Sequence, residues 1–196
     1  MMVKAAGLIL TMPLLMSFQK LDPKYLVSYG DSSAPIHVVE YYSLSCHNCC
    51  QLFKKDFHVI KEKYINPGLI YWSFHPDPAD LLTLQVMACF ETMSLNDKCI
   101  FFEHIVSQVE LGAALFNLQL LMQTMILLRR PIPPIETVDT LKKTPAFEAA
   151  YRFLKQPDAI TSIPTVEING KIYEEYPSRP FIESTLRSLI AQEKPL

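Results

Sequence analysis

Two cysteines separated by two residues form the most reactive pattern in the sequence. Cys46 and Cys49 follow residues 36–42, a segment rich in β-branched and aromatic side chains that predicts a buried strand. Apolar and charged residues then recur at helical spacing from 47 to about 64, which predicts a helix. Cysteines at positions i and i+3 of a helix start share one face, so this pair lies close enough to form a small-ring disulfide.

The predicted helix start also determines the reactivity of the pair. Its first sulfur would lie against free N–H groups at the positive end of the helix dipole, which favours a thiolate. A stabilised thiolate is a good leaving group, so the disulfide form exchanges readily with other thiols. We therefore expect Cys46 to be the exposed nucleophile and Cys49 the thiol that resolves the mixed disulfide. His47 and Asn48, between them, are candidate substrate contacts.

A metal site is the alternative interpretation of this segment. Its ligands would be three cysteines and one histidine, namely Cys46, His47, Cys49 and Cys50. A closed zinc site usually has a second CxxC pair, which Cys89 and Cys99 do not supply. We therefore expect no metal cofactor, and keep a copper- or zinc-binding chaperone as the alternative.

The remaining cysteines are expected to be structural. Cys50 is expected to be a small buried hydrophobic residue. Cys89 and Cys99 each lie five positions from Ser94, at a predicted helix turn. In an antiparallel helix pair they would face each other. We expect either a structural disulfide between them, which requires Cα atoms within about 7 Å, or two buried thiols.

A second motif, Ile163-Pro164-Thr165, precedes a predicted strand. Proline suits a strand start because it cannot donate to the ladder, and cis peptide bonds are essentially confined to proline. A cis Pro164 facing the dithiol would leave backbone groups free to pair with an extended substrate. Ile163, Pro164 and Thr165 are therefore candidate substrate-binding residues, and an ordinary trans proline is the alternative.

The predicted elements follow the order strand, strand, helix, strand, helical block, hairpin and helix. The strands before the block are predicted over 24–28, 36–42 and 69–74, and residues 79–156 have helical character throughout. Asn169-Gly170, the strongest short hairpin signal, then joins two short strands. The chain therefore alternates α and β elements around one long helical interruption.

This order predicts an α/β domain over 24–76 and 160–196, interrupted by an all-helical subdomain over 77–159. Residues 111–128 carry no charge. We interpret them as a helix that is buried in the subdomain or exposes an apolar patch to a partner, in preference to a membrane span.

Composition and the N-terminus restrict the class of protein. Hydrophobic residues make up 49% of the 196 positions, which is enough for a sizeable core, and the net charge of −2 argues against a nucleic-acid partner.

Residues 5–16 are uncharged and follow Lys4, as in a secretory signal. We expect residues 1–18 to be a signal peptide or an uncleaved N-terminal anchor, with an ordinary buried helix as the alternative. Export would place the protein in an oxidising compartment.

Together these residues resemble the DsbA-like thiol:disulfide oxidoreductases of the thioredoxin superfamily. Residues 38–49 (VVEYYSLSCHNC) look like the strand and active-site segment of that family. Residues 163–165 (IPT), followed by 168–171 (INGK), look like its cis-proline strand and hairpin. The resemblance implies an α/β, thioredoxin-like fold with an all-helical insertion.

The resemblance also implies a function. It implies a monomeric periplasmic dithiol oxidase that introduces disulfides into reduced exported polypeptides and is reoxidised by a quinone-linked, DsbB-like membrane partner. Cys46 and Cys49 would be the redox pair, Pro164 the cis-proline, and Glu40 the buried acid that helps to move protons. A buried carboxyl should have a raised pKa unless it is paired.

One feature departs from the family pattern. Strongly oxidising members often carry Pro-His between the cysteines, whereas here His47 comes first and Asn48 second. An uncharged asparagine removes one group that could stabilise the thiolate. A disulfide isomerase or reductase therefore remains the alternative within enzymes.

Overall fold

The computed structural model describes residues 20–156, 160–174 and 176–193. The expected signal peptide or anchor, residues 1–18, lies outside this part of the chain.

A mixed sheet of five strands forms the centre of the described fold, in the order β1-β3-β2-β4-β5. The strands are β1 (Val27–Tyr29), β2 (Ile36–Tyr42), β3 (Ile70–Pro76), β4 (Thr165–Ile168) and β5 (Lys171–Tyr173). β2 is parallel to β3 and antiparallel to β4, whereas β1 with β3 and β4 with β5 form antiparallel pairs. β2 therefore lies inside the sheet, as its nearly continuous apolar sequence predicts.

Seven helices surround the sheet in the part of the chain that the structure describes. The first, α1, is an unbroken helical run over residues 47–65, in which Phe53–Phe57 and Lys61–Ile65 are π-helical. Between β3 and β4 lie α2 (Leu81–Phe90), α3 (Leu95–Gln108), α4 (Ala114–Leu127), α5 (Val138–Leu141) and α6 (Pro145–Leu154). The last helix, α7, spans Arg179–Glu193.

The predicted hairpin is confirmed. β4 and β5 pair through Ile168 and Lys171, and the two residues between them have positive φ, 48° at Asn169 and 83° at Gly170. A two-residue turn of this kind needs both residues in the left-handed region, which Asn and Gly tolerate best.

The predicted first strand is misplaced. Pro23–Tyr25 forms a short 3-10 turn, and β1 begins only at Val27. The Asp22 side chain accepts a hydrogen bond from the Lys24 N–H at 2.9 Å, and Pro23 occupies the first position of the turn. These local signals for a helix start outweigh the strand propensity of the residues that follow.

The uncharged stretch 111–128 contains α4, whose core-facing side includes Asn117, Leu121 and Met125. Its other side leaves Leu115 and Leu127 exposed. Across the described residues, no helix combines the length and the hydropathy that a membrane crossing needs.

Of the two arrangements expected for Cys89 and Cys99, the structure has two free thiols and no bridge. α2 packs against α4 and α6, whereas α3 packs against β1 and α4. The two helices therefore do not form the closely packed antiparallel pair on which the expectation rested. Cys89 is fully buried in the core, while the Cys99 Sγ donates to the Ser28 carbonyl at 3.5 Å.

Candidate redox site

The end of β2 and the start of α1 position the reactive pair. Cys46 is the N-cap of α1 and has an extended backbone, and the N–H of Cys49 donates to the Cys46 Sγ at 3.3 Å. The first sulfur thus lies against the free amides of a helix start. Cys46 is half-buried, whereas His47 and Asn48 are exposed beside it.

The second motif reaches the same place from a distant part of the chain. The Cys46 Sγ donates to the carbonyl oxygen of Ile163 at 3.8 Å, and the Ile163–Pro164 peptide bond is cis. Thr165 is buried, and its Oγ1 donates to the Ser162 carbonyl at 2.8 Å. The structure therefore brings Cys46 and the backbone of the Ile-Pro-Thr segment together.

Cys49 faces the protein interior. It is only 4% exposed. Burial, followed by the hydrogen bond with Cys46, raises the pKa of the Cys49 thiol well above its ordinary value. A thiol in this environment can contact Cys46 but is inaccessible to a bulky substrate. A resolving cysteine is expected to have this arrangement.

Glu40 lies beneath the pair on β2, opposite Phe74 of β3 and Val166 of β4. It is 2% exposed, and its Oε1 has no hydrogen-bond partner among the described residues. Burial raises the pKa of the Glu40 carboxyl to about 8, and the neighbouring Trp72 side chain offsets only part of this increase. Glu40 therefore carries a proton at neutral pH.

A small cavity connects the buried acid with the buried thiols. It is lined by Glu40, Cys49 and Cys50 together with apolar side chains, and its volume is about 10 Å³. That volume is close to the smallest that holds one water molecule. Glu40, Cys49 and Cys50 therefore face one small cavity.

Cys50 differs from the pair that it follows. Its Sγ donates to the Leu44 carbonyl at 3.6 Å, and burial raises the pKa of the thiol to about 11. The metal-site interpretation required Cys50 to converge with Cys46, His47 and Cys49. Within residues 20–156, 160–174 and 176–193, no group of three or more His, Cys, Asp or Glu side chains is arranged to hold a metal ion.

The sequence did not predict the role of Asp80, the N-cap of α2. Its carboxylate accepts hydrogen bonds from the hydroxyls of Ser43 and Ser45 and from the Thr83 N–H and hydroxyl. The Thr83 Oγ1 also accepts from the Leu44 N–H at 2.9 Å. The first turn of α2 therefore braces the three residues that lead into Cys46.

The sequence around Asp80 could have predicted its position at the start of α2, but not its hydrogen bonds to the segment before Cys46. An aspartate directly before an apolar helical run is a recognisable helix start. Its contact with Ser43 and Ser45, more than 30 positions earlier, depends on how α2 packs against the end of β2. Spacing along the chain carries no information about that contact.

Comparisons with known proteins bear on the fold and the site. A family model described as Thioredoxin matches residues 23–187. No curated protein matches the chain.

Solved structures share the fold. Wolbachia pipientis α-DsbA1 is 20% identical, with a TM-score of 0.68 over 85% of this chain and 92% of that one. Bacillus subtilis BdbD in its oxidised form is 16% identical, with a TM-score of 0.55 over 88% and 96%. A protein-disulfide isomerase from Novosphingobium aromaticivorans is 13% identical, with a TM-score of 0.57 over 82% and 97%. These similarities confirm the predicted thioredoxin-like fold with a helical insertion.

Proposed function

The chain belongs to the thioredoxin family, and on this premise we propose that it is a thiol:disulfide oxidoreductase that acts as a dithiol oxidase on exported polypeptides. One observation carries the proposal. The half-buried Cys46 sulfur lies at a helix start, 3.3 Å from the Cys49 amide and 3.8 Å from the Ile163 carbonyl, with the Cys49 thiol buried behind it.

The reaction begins from the disulfide form of the pair. A substrate thiolate attacks the Cys46 sulfur, the bond to Cys49 breaks, and Cys49 leaves as a thiolate. A second substrate thiolate then attacks the substrate sulfur of the mixed disulfide and displaces Cys46. The substrate loses two electrons and two protons and gains a disulfide, and Cys46 and Cys49 are left reduced.

The leaving thiolate of Cys49 needs a proton because it is buried. Glu40 carries one at neutral pH, since burial raises its pKa to about 8, and it lines the same cavity. We assign Glu40 the role of donating this proton and of accepting it again when the pair is reoxidised. Glu40 acts together with Cys46 and Cys49 and does not contact the substrate.

The substrate is expected to contact the exposed surface around Cys46. His47 and Asn48 flank the sulfur, and an extended polypeptide would pair with backbone groups of the segment Ile163-Pro164-Thr165. DsbA-type structures share the fold, which supports reduced exported polypeptides as substrates and a quinone-linked, DsbB-like membrane protein as the reoxidising partner. The same resemblance supports a periplasmic location and a monomer without a further cofactor.

The proposal is tested by measuring oxidation of a reduced, cysteine-containing polypeptide and the reduction potential of the pair against glutathione. We expect stoichiometric oxidation by the disulfide form and a potential near the oxidising end of the family, about −120 mV. Cys46→Ser should abolish the reaction. Cys99→Ser is the matched control, because Cys99 is a free thiol that bonds to Ser28 and should leave the rate unchanged.

The alternatives predict different results. A potential near about −270 mV would indicate a reductase, and faster rearrangement of a scrambled substrate than oxidation of a reduced one would indicate an isomerase. Stoichiometric bound copper or zinc without dithiol oxidation would indicate a metal chaperone.

A further inference from the structure

An apolar groove of about 450 Å³ opens beside the redox site, between the loop before Cys46 and helices α2 and α4. Five leucines line it: Leu81, Leu82, Leu111, Leu115 and Leu118. Leu81, Leu111 and Leu115 are 46%, 48% and 70% exposed. Apolar side chains gathered in this way are typical of a binding surface. Ser45 also lines the groove, so its wall continues directly into the nucleophile.

The groove carries charge of one sign. Among its described lining residues the charged ones are Glu110 and Glu136, and both side chains are exposed. Two carboxylates at the edge of an apolar surface attract a basic side chain and repel an acidic one.

Buried amide side chains hold both acidic segments in place. Asn117 is 5% exposed, donates to the Glu110 carbonyl at 2.7 Å and accepts from the Glu110 N–H at 3.1 Å. Gln85 is 9% exposed and donates to the carbonyl of Ile135, the neighbour of Glu136, at 3.3 Å. Both amides also line the groove, which is therefore formed before anything binds.

We propose that this groove binds the polypeptide segment that flanks the reacting cysteine of a substrate, and that it selects a segment with an apolar side chain next to a lysine or arginine. This inference rests on the proposed function, because the cysteine of the bound segment must reach Cys46. The leucines remove the apolar side chain from water, and the two glutamates set the preferred charge.

The test compares short peptides that contain one cysteine and a neighbouring Leu-Lys or Leu-Glu pair, placed on either side of the cysteine. The disulfide form of the full chain is reacted with each peptide, and the second-order rate constant is measured at low and high salt. We expect the best Leu-Lys peptide to react about fivefold faster than its Leu-Glu counterpart at low salt, and the preference to shrink as salt screens the charges.

The double variant Glu110→Gln/Glu136→Gln should remove the preference while leaving the reaction with a small uncharged dithiol unchanged. Glu62→Gln/Glu174→Gln is the matched control, since these exposed glutamates lie outside the groove, and it should keep the preference. Equal rates for the two charges in the wild-type protein would overturn the proposal, as would a preference that survives in the groove variant.

A separate binding measurement distinguishes failure of the groove from failure of the chemistry. Fluorescein-labelled versions of the same peptides with serine in place of cysteine report binding by anisotropy without any redox step. If no peptide is oxidised, the proposed function fails. The groove is then judged on binding alone: tighter binding of the Leu-Lys peptide that is lost in the double variant supports it, and equal binding overturns it.

Discussion

Glu40 and His75 lie on opposite faces of the central sheet, and the protein surrounds them differently. Glu40 pairs in register with Phe74, whereas His75 pairs with Tyr41, one residue further along each strand. Successive residues of a strand point to opposite faces. Glu40 Oε1 has no hydrogen-bond partner among the described residues. His75 uses both ring nitrogens: Nε2 accepts from the Leu21 N–H at 3.1 Å, and Nδ1 lies 3.0 Å from the Pro76 carbonyl.

Burial shifts the two pKa values in opposite directions but keeps both groups neutral. It raises the pKa of Glu40 to about 8 and lowers that of His75 to about 4. The satisfied imidazole holds Leu21 against the sheet, which is a structural role. The Glu40 carboxyl, whose Oε1 is without a partner among the described residues, shares a cavity with two thiols, which is an arrangement suited to proton transfer. The comparison teaches that two equally buried groups differ in hydrogen bonding: the imidazole has a partner for each ring nitrogen, whereas Glu40 Oε1 has none among the described residues.

The largest expected effect comes from substituting a thiol that shares the cavity with Glu40. Cys49→Ser should abolish multiple turnover, because Cys46 can no longer form the intramolecular disulfide that oxidises a substrate. When the reduced variant is mixed with a disulfide-containing polypeptide, Cys46 can attack that disulfide, and mass spectrometry should show the polypeptide trapped on Cys46 because Cys49 is missing to release it. Cys50→Ser, the adjacent control, should turn over within about twofold of wild type and lose roughly 1 kcal/mol of stability. Continued turnover in Cys49→Ser would assign the resolving role to another thiol.

The start of this site was predictable because its signals are local. The β-branched run of β2, the CxxC spacing and the Asn169-Gly170 turn each determine a few neighbouring residues, and the structure has all three. The sequence of β2 alone did not predict that Glu40 is buried, because the same residue in an edge strand would be exposed. The expectation came from the resemblance to a family, and the interior position of β2 in the sheet explains the burial.

Sequence spacing left open the packing between distant segments. Cys89 and Cys99 are symmetric about Ser94 in sequence, but α3 turns its Cys99 toward β1 and away from α2. Likewise, the serines before Cys46 bond to Asp80, which belongs to the insertion. Each contact depends on which face of a helix packs against the sheet. The spacing of residues along the chain does not determine which face that is.

Replacing Glu40 by glutamine should change the pH dependence of stability. The folded-state pKa of about 8 lies above the ordinary value of 4.5, so the folded protein holds the proton more tightly. The stabilisation from this group is complete below pH 4.5 and decreases as the pH rises to 8. Glu40→Gln removes this loss, and we expect its stability relative to wild type to increase by roughly 5 kcal/mol across that range. Urea unfolding at each pH measures the difference.

The same variant should be slower in catalysis. Without a proton donor beside Cys49, single-turnover oxidation of a peptide should fall by at least about tenfold. The pH dependence near 8 should also disappear from the rate profile. Glu62→Gln is the control for a surface carboxyl. An unchanged rate and profile in Glu40→Gln would leave Glu40 with only a structural role.

His75 should give a smaller total change in stability, of opposite sign. Its folded-state pKa of about 4 lies below the ordinary value of 6.5, so its stabilisation is complete above pH 6.5 and is lost as the pH falls to 4. In the Glu40→Gln background, stability should therefore drop by roughly 3 kcal/mol over this interval. His75→Gln, which keeps an acceptor for Leu21, should flatten the drop. A drop of the same size in the double variant would assign it to other groups.

The smallest expected effect tests whether the half-buried carboxylate of Asp80 influences the same cysteine pair. Asp80→Ala and Ser94→Ala each remove the N-cap of an insertion helix, α2 and α3 respectively, so each should cost about 1 kcal/mol of stability. Only Asp80 also holds Ser43 and Ser45. We therefore expect Asp80→Ala alone to shift the reduction potential and to slow peptide oxidation by about tenfold, because the segment before Cys46 loses its brace. Asp80→Asn retains an acceptor oxygen and should restore part of the rate. Equal rates and potentials in the two alanine variants would show that the hydrogen bonds from Asp80 stabilise α2 without positioning the nucleophile.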